Sequence, residues 1–419
     1  MGKRKVVITG MGVVTPLGCA VDGMWEAVKS GRCGIGTIKS FDASDYKIRI
    51  AGEVKDFDAD AFIPPKEQRR MDAFCMYAIA AAKMAMDDSG LDMSCEDPSR
   101  AGVIVGSGIG GLQTFQSQHK VLINKGPGRV SPFVIPQMIG NMPGGLIAIE
   151  HGLKGPNYAV VSACATAGHG IGNALRLVRD GSADIMVVGG TEATVCEMGI
   201  AGFGSMKALS RRNDEPEKSS RPFDAERDGF VMSEGAGILI IEDLEHARKR
   251  GARIYCELAG FGMTCDAFHM TAPKEDGSGA AGAMKLAMED AGVNPEDVDY
   301  INAHGTSTPL NDKVETRAIK GAMGEDSARK VMISSSKSMT GHLLGAAAGI
   351  ESVISVLAIR DGIIPPTINY EAPDPDCDLD YTPKNARESK VRVCLNNALG
   401  FGGHNACLAF KQLDGGQDT

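Results

Sequence analysis

The chain is poor in aromatic residues, at 5% with a single Trp, and has no apolar run near the roughly 18 residues a membrane span needs. It also lacks an excess of positive charge. Its 44 Lys and Arg face 53 Asp and Glu, a formal net charge of −9, which argues against nucleic-acid binding through net charge. An anionic partner must therefore meet a local basic patch. No C-x-x-C pair occurs among the eleven scattered cysteines. That argues against a disulfide framework or zinc site and for a reducing compartment, with cytoplasm the default unless an organelle-targeting peptide was trimmed. No G-x-x-x-x-G-K-[ST] phosphate loop is present. The apolar stretch Val6-Val7-Ile8 is too short for a signal peptide, and Val6 stands where acylation at Gly2 calls for Ser or Thr.

Glycine, by contrast, is abundant, at 53 of 419 residues, when the usual share is about 7%. The length suggests two or three domains. Strand-like runs ending in glycine recur at Val6–Ile8, Val103–Val105, Ile185–Val188 and Ile238–Ile241, with Ala-rich helical stretches at Met76–Asp88 and Gly168–Arg179. Such continuous apolar strands are buried on both faces, so a layered α/β fold is expected rather than a sandwich. The polar stretch Arg211–Asp228 reads as a surface loop broken at Pro216, followed by a charged helix Glu242–Arg250 and a second strand set from about Ile254. The chain also echoes itself. Arg179-Asp180-Gly181 falls on Arg360-Asp361-Gly362 at an offset of 181 residues, and Gly168 then falls on Gly349. An internal duplication follows, with halves 1–252 and 253–419.

Gly10-Met11-Gly12 and Gly106–Gly111 follow strands, but Thr15 replaces the third glycine of a dinucleotide fingerprint and neither loop has a convincing ribose-binding acid. They read as turns and close backbone contacts. Cys164 lies at a strand-to-helix junction among small residues, where helix-start amides favour a thiolate; the alternative is a buried structural thiol, the reading kept for Cys75, Cys196, Cys256 and Cys407. His304 and His342 follow strand-like Val298–Ile301 and Val331–Ile333, at strand ends where open α/β sheets place ligands. Each alone would be a capping or core histidine. A cysteine and two histidines at matching points of two related halves suggest one shared site.

Four ordered motifs carry a resemblance: Val161–Ala167 around Cys164, Asn302–Thr308 around His304, Lys337–His342, and Leu399–Gly403. Together they resemble the β-ketoacyl-[acyl-carrier-protein] synthases, most closely the elongating type II enzymes, over essentially the whole chain from Val6 to Phe410. The resemblance implies an α/β thiolase fold of two βαβαβαββ halves in five αβαβα layers, and a homodimer. It implies Cys164 as the acylated nucleophile, the Cys164 and Phe401 amides as the oxyanion hole, and His304 and His342 as the pair that assists loss of CO2 and stabilises the enolate. Lys337 matches the lysine ordering that pair. Thr306 and Thr308 match pantetheine contacts, Phe401 a gate beside Gly400, Gly402 and Gly403, and Ile109 and Phe203 the acyl channel, although apolar residues are core by default. Asn302, Glu351, Asn396 and Asn397 match a monovalent-cation site of some relatives, with a plain hydrogen-bond network the alternative. His404 stands where some relatives have Thr.

No cofactor is required on this reading, since 4'-phosphopantetheine arrives on the carrier protein. Lys66, Arg69 and Arg70, spaced i, i+3, i+4 in a predicted helix, with Lys207, form the docking face for the acidic acyl carrier protein; a solvated patch is the alternative. A degradative thiolase would replace the second histidine, an initiating synthase would carry Asn at position 342, and a non-condensing chain-length factor would lack the nucleophile. A type I elongating synthase or a polyketide-type ketosynthase stays open, because those differ in pocket shape.

Overall fold

The strand-like runs of the sequence become a continuous ladder of nine strands in the computed structural model, which describes residues 3–413. Gly2, weighed above for acylation, and the last residues of the second half, 414–419, lie outside the described residues. The strands are β1 (Val6–Val14), β2 (Ala101–Gly106), β3 (Ile185–Glu192), β4 (Gly235–Asp243), β5 (Cys256–Cys265), β6 (Tyr300–Asn302), β7 (Met332–Ser334), β8 (Val393–Gly400) and β9 (His404–Lys411). The main helices are α1 (Ala73–Ser89), α2 (Met142–His151), α3 (Thr166–Arg179), α4 (Ser278–Ala291), α5 (Pro309–Met323) and α6 (Ala347–Asp361). Every residue of β1, β2 and β3 is buried, as their continuous apolar character requires.

The ladder order is β2-β3-β4-β1-β5-β9-β8-β6-β7. Outward from the β1/β5 junction, both halves follow the same plan: two antiparallel pairings, then a parallel one. The junction itself is narrow, with only Val7 paired to Glu257 and Ile8 to Cys256. The second half is a full βαβαβαββ unit, whereas in the first the third strand is reduced to a single bridge between Val103 and Asn157. The expected strand before Cys164 is therefore absent. Pro156 can accept from Val103 N (2.8 Å) but has no N–H to donate, and the ladder stops there.

Five layers result. Helices α1 and α2 cover the β2-β3-β4-β1 half of the ladder, α4 and α5 the β5-β9-β8-β6-β7 half, and α3 and α6 lie between the two halves. Glycines set how closely the layers approach. A Cβ on Gly10 or Gly12 of β1 would lie 2.2 or 2.0 Å from the carbonyl oxygens of Ala85 and Ala81 in α1; on Gly260 or Gly262 of β5 it would lie 2.2 or 1.9 Å from those of Ala287 and Ala283 in α4. The Gly10–Gly12 segment makes the close backbone contact read from the sequence, but it lies inside strand β1 rather than in a turn after it. In the central layer the contacts are exchanged: Gly168 of α3 faces Ala398 and Ala406 of the second half, and Gly349 of α6 faces Gly190 and Gly237 of the first.

Two sequence expectations are corrected. Within Arg211–Asp228, residues 219–224 are buried rather than superficial, because Arg221 pairs with Asp224 (3.0 Å) and Phe223 stacks on Tyr381 at 3.9 Å. Polar residues enter a core when their charges are paired. The proposed helix Glu242–Arg250 is shorter, since β4 runs through Asp243 and the helix spans Leu244–Lys249. Glu242 is fully buried in the strand, held by Thr9, His246 and Arg250. No helix among the described residues is long and apolar enough to cross a membrane.

Candidate active site

Cys164 sits in a short 3-10 turn, Ala163–Ala165, that leads into α3. Ala163 takes a left-handed φ of 50°, a strained conformation for a residue with a side chain, and so bends the chain at the thiol. The cavity beside it, about 370 Å³, is lined by Cys164, His304, His342 and Phe401. His304 follows β6, and the amides of His304 and Gly305 donate to Glu315 of α5 at 2.8 and 2.7 Å. His342 is clamped through its backbone, donating to Val231 O (2.7 Å) and accepting from Ser233 N (3.0 Å). The two imidazoles meet edge to face with centroids 5.3 Å apart, and the Nδ1 of each is buried without a protein partner.

Burial, with the Lys337 charge second, holds both imidazoles well below their usual range, so they are neutral near pH 7. Lys337 itself is 1% exposed and forms a buried ion pair with Glu351 of α6. The Cys164 thiol is pushed up to about 12 by burial, against the opposing pull of Lys337 and of the Cys164 and Phe401 amides. The thiolate expected at the helix start is thus corrected: desolvation outweighs the amides, and the resting group is a thiol.

Phe401 lies on the β8–β9 hairpin, where Gly402 and Gly403 have φ of 88° and 73°. Its ring is 6.4 Å from that of Phe203, which neighbours Phe230 (5.6 Å), which in turn meets His342 (5.2 Å). Thr306 and Thr308, hydrogen-bonded to each other at 2.9 Å, and Lys207 also line the cavity. Ile109 does not line it; the residue is 42% exposed. Lys66, Arg69 and Arg70 are exposed outside the cavity. The helix predicted to align them spans only Pro65–Gln68, because the chain turns to reach Asp72, the N-cap of α1. Arg69 ends that helix, and Arg70 bends back to Glu67 (3.4 Å) and over the Phe133 ring.

Asn302 Oδ1, Glu351 Oε2 and Asn396 Oδ1 are buried without a hydrogen-bond partner, with Asn302 and Asn396 directly paired across β6 and β8. Asn397 Oδ1 is also unpartnered, but its side chain points to the opposite face of the sheet, toward Met284 and Glu315, so the expected set is corrected to three. Hard oxygen donors left unsatisfied in a core fit a monovalent cation better than a closed hydrogen-bond network. His404 lies 6.3 Å from His169, whose Nδ1 meets Ser162 Oγ at 2.8 Å. Sequence reasoning missed Glu315 and Glu192, the buried acids that hold the loops after β6 and β2. The one visible sign was an acid closing the apolar run Ile185–Glu192.

Comparison with known proteins identifies the family. The family described as "Beta-ketoacyl synthase, N-terminal domain" matches residues 3–247, and its C-terminal counterpart matches 255–371. The chain belongs to the β-ketoacyl synthase family. A curated family member, "3-oxoacyl-[acyl-carrier-protein] synthase 2" of Synechocystis sp., is 54% identical over 98% of each chain, and the protein of that name in Vibrio harveyi is 50% identical over 99% of this chain and 100% of its own. Among solved structures, a type II polyketide ketosynthase in complex with its acyl-carrier protein superposes with a TM-score of 0.91 at 36% identity, covering 99% of this chain and all of its own. A β-ketoacyl synthase from Burkholderia phymatum gives 0.91 at 35%, over 98% of this chain and all of its own. These neighbours are thiolase-fold ketosynthases, and the five-layered architecture agrees with theirs.

Proposed function

We propose that this β-ketoacyl synthase is an elongating 3-oxoacyl-[acyl-carrier-protein] synthase of the type II class, an acyltransferase that extends a fatty acyl chain by two carbons. The observation that carries the reading is one cavity containing a bent-turn cysteine and two neutral, mutually packed histidines. Cys164 Sγ attacks the acyl thioester, its bond to the acyl carbon replaces that of the carrier protein, and the thiol proton leaves on the released carrier thiol. The Cys164 and Phe401 amides stabilise the oxyanion. Malonyl thioester then loses CO2, and His304 and His342 donate to the enolate oxygen, which a neutral imidazole can do without protonating the carbanion. That carbanion attacks the acyl-Cys164 carbonyl. The 3-oxoacyl product leaves, and Cys164 regains a proton. Burial, reinforced by the Lys337 charge, keeps both imidazoles neutral.

Thr306 and Thr308 suit the polar pantetheine arm at the cavity, and Phe203 and Phe401 its acyl end. Lys207 at the cavity, with Lys66, Arg69 and Arg70, supports docking of an acidic carrier protein. A homodimer is supported by the exposed apolar residues Phe115, Ile123, Phe133, Ile135 and Val161, and its partner surface would cover Ile109, the channel residue that the single chain leaves exposed. The orphaned oxygens of Asn302, Glu351 and Asn396 support a structural monovalent cation held by those three residues, without Asn397. Eleven free cysteines suit a cytoplasmic setting. Identity of 50–54% to curated type 2 synthases, against 36% to the type II polyketide ketosynthase, favours the fatty-acid reading. Intact-protein mass spectrometry after mixing with acyl-[acyl-carrier protein] tests it. An acyl adduct is expected on the wild type and lost in Cys164→Ala; an adduct that persists in the variant refutes the assignment.

A further inference from the structure

Glu192 closes β3 and is fully buried, and no basic side chain pairs with it among the described residues. Four donors hold it instead. Oε1 accepts from Ser107 Oγ (2.7 Å) and Ile109 N (3.3 Å), and Oε2 accepts from Gly108 N (2.9 Å) and Gly345 N (3.0 Å). Oε2, facing two backbone N–H groups, acts only as an acceptor, and the four donors oppose the burial that pushes the carboxyl up to about 7. The loop Ser107–Ile109 is pinned at three consecutive residues. It also touches the nucleophile turn: a Cβ on Gly108 would lie 3.4 Å from Ala163 O and 2.8 Å from Glu192 Oε2. Gly345 is the counterpart of Cys164 at the 181-residue offset, so the carboxylate ties the loop at one side of the thiol to the equivalent turn of the other half.

We infer that Glu192 is a positioning residue that fixes the Ser107–Ile109 loop against the Cys164 turn and thereby sets how sharply the enzyme discriminates among acyl chain lengths. The inference rests on the reading of Cys164 as the acylated residue and Ile109 as part of the acyl wall. Glu192→Gln keeps the volume but turns one donor-facing oxygen into an N–H2 group. Two of the four donors then lose their acceptor, and the loop is released. His304 stands on another element, and His342, three residues before Gly345, keeps its own backbone clamp to Val231 and Ser233.

The test uses the full-length protein with acyl-[acyl-carrier protein] substrates graded from short to long. Acyl capture at Cys164 is followed by intact mass, and CO2 release from malonyl-[acyl-carrier protein] is measured separately. In Glu192→Gln the ratio of capture kcat/KM between the best and the poorest accepted length is expected to fall about fivefold or more, mainly through KM, with CO2 release changed less than about twofold. Ser107→Ala removes one donor only and should move the ratio in the same direction, about twofold. It decides the matter if the Glu192 variant does not fold. An unchanged ratio, or an equal loss at every length together with CO2 release, overturns the inference while wild-type acylation still stands. Absence of an acyl adduct on the wild type overturns both.

Discussion

The turns Ala163-Cys164-Ala165 and Leu344-Gly345-Ala346 have the same backbone. Their first residues take φ of 50° and 49°, and each turn opens a central helix, α3 or α6, at the 181-residue offset. Yet one turn presents a thiol to a cavity, and the other presents an amide to the Glu192 carboxylate. The duplicated fold supplies two helix starts with the same strained bend. Chemistry arises where the side chain is reactive and the space before it is open, so the fold alone does not make a site.

The largest break in that comparison comes from removing the thiol. Cys164→Ala should abolish condensation and capture, whereas Cys256→Ala, equally a free and buried cysteine, should keep capture and lose only stability. Mass spectrometry and melting curves separate the two. Next come the histidines. His304→Ala and His342→Ala should retain acylation and lose malonyl decarboxylation by about 10²–10⁴-fold, read as labelled CO2 release beside acyl transfer. Their folded pKa lies below the unfolded value of 6.5. The unfolded chain therefore binds more protons at acid pH, and their contribution to stability is complete above about pH 6.5 and is lost as pH falls below it. Acid denaturation curves should be shallower in either Ala variant.

Ile109→Trp and Phe401→Trp should shift the acyl preference toward shorter groups, because close-packed pockets tolerate added volume poorly. An unchanged product profile in both would remove these residues from the channel. Gly345→Ala probes the closed turn. Its Cβ would lie 2.3 Å from Gly108 N and 2.8 Å from Glu192 Oε2, and thermal unfolding should show a loss of about 1–3 kcal/mol. The smallest effects are on the rim. Reversing Lys66, Arg69 and Arg70 to Glu should raise KM for carrier-protein substrates, each charge contributing about 1 kcal/mol or less and fading with salt. Activity on small pantetheine thioesters should hold; equal losses on both would place docking elsewhere.

The duplication was legible because glycines and small residues recur at fixed spacing wherever a helix lies on a strand, as at Gly168 and Gly349. The strand cores were legible from uninterrupted apolar runs. The third strand of the first half was not, because one proline cuts the ladder at residue 156. The buried part of Arg211–Asp228 was also hidden, since its polar residues are paired with groups distant in the sequence, Arg221 reaching Glu371 and Asp224 accepting from the amides of Glu371 and Ala372. A window of neighbouring residues carries no record of such partners.

The identity of the reacting groups was present in the amino-acid sequence: Cys164, His304, His342 and Lys337 could be named from motif and order, because each chemistry demands one residue type. Their state was decided by tertiary structure. Burial, with the Lys337 charge, turned two histidines into neutral donors, and burial against the pull of Lys337 turned the expected thiolate into a thiol, since desolvation depends on what packs around a group. Only the fold also brought Glu192, 153 residues before Gly345 in the chain, against that residue's amide. Side-chain chemistry is local, while the field and the hydrogen-bond partners that tune it come from the whole packed chain.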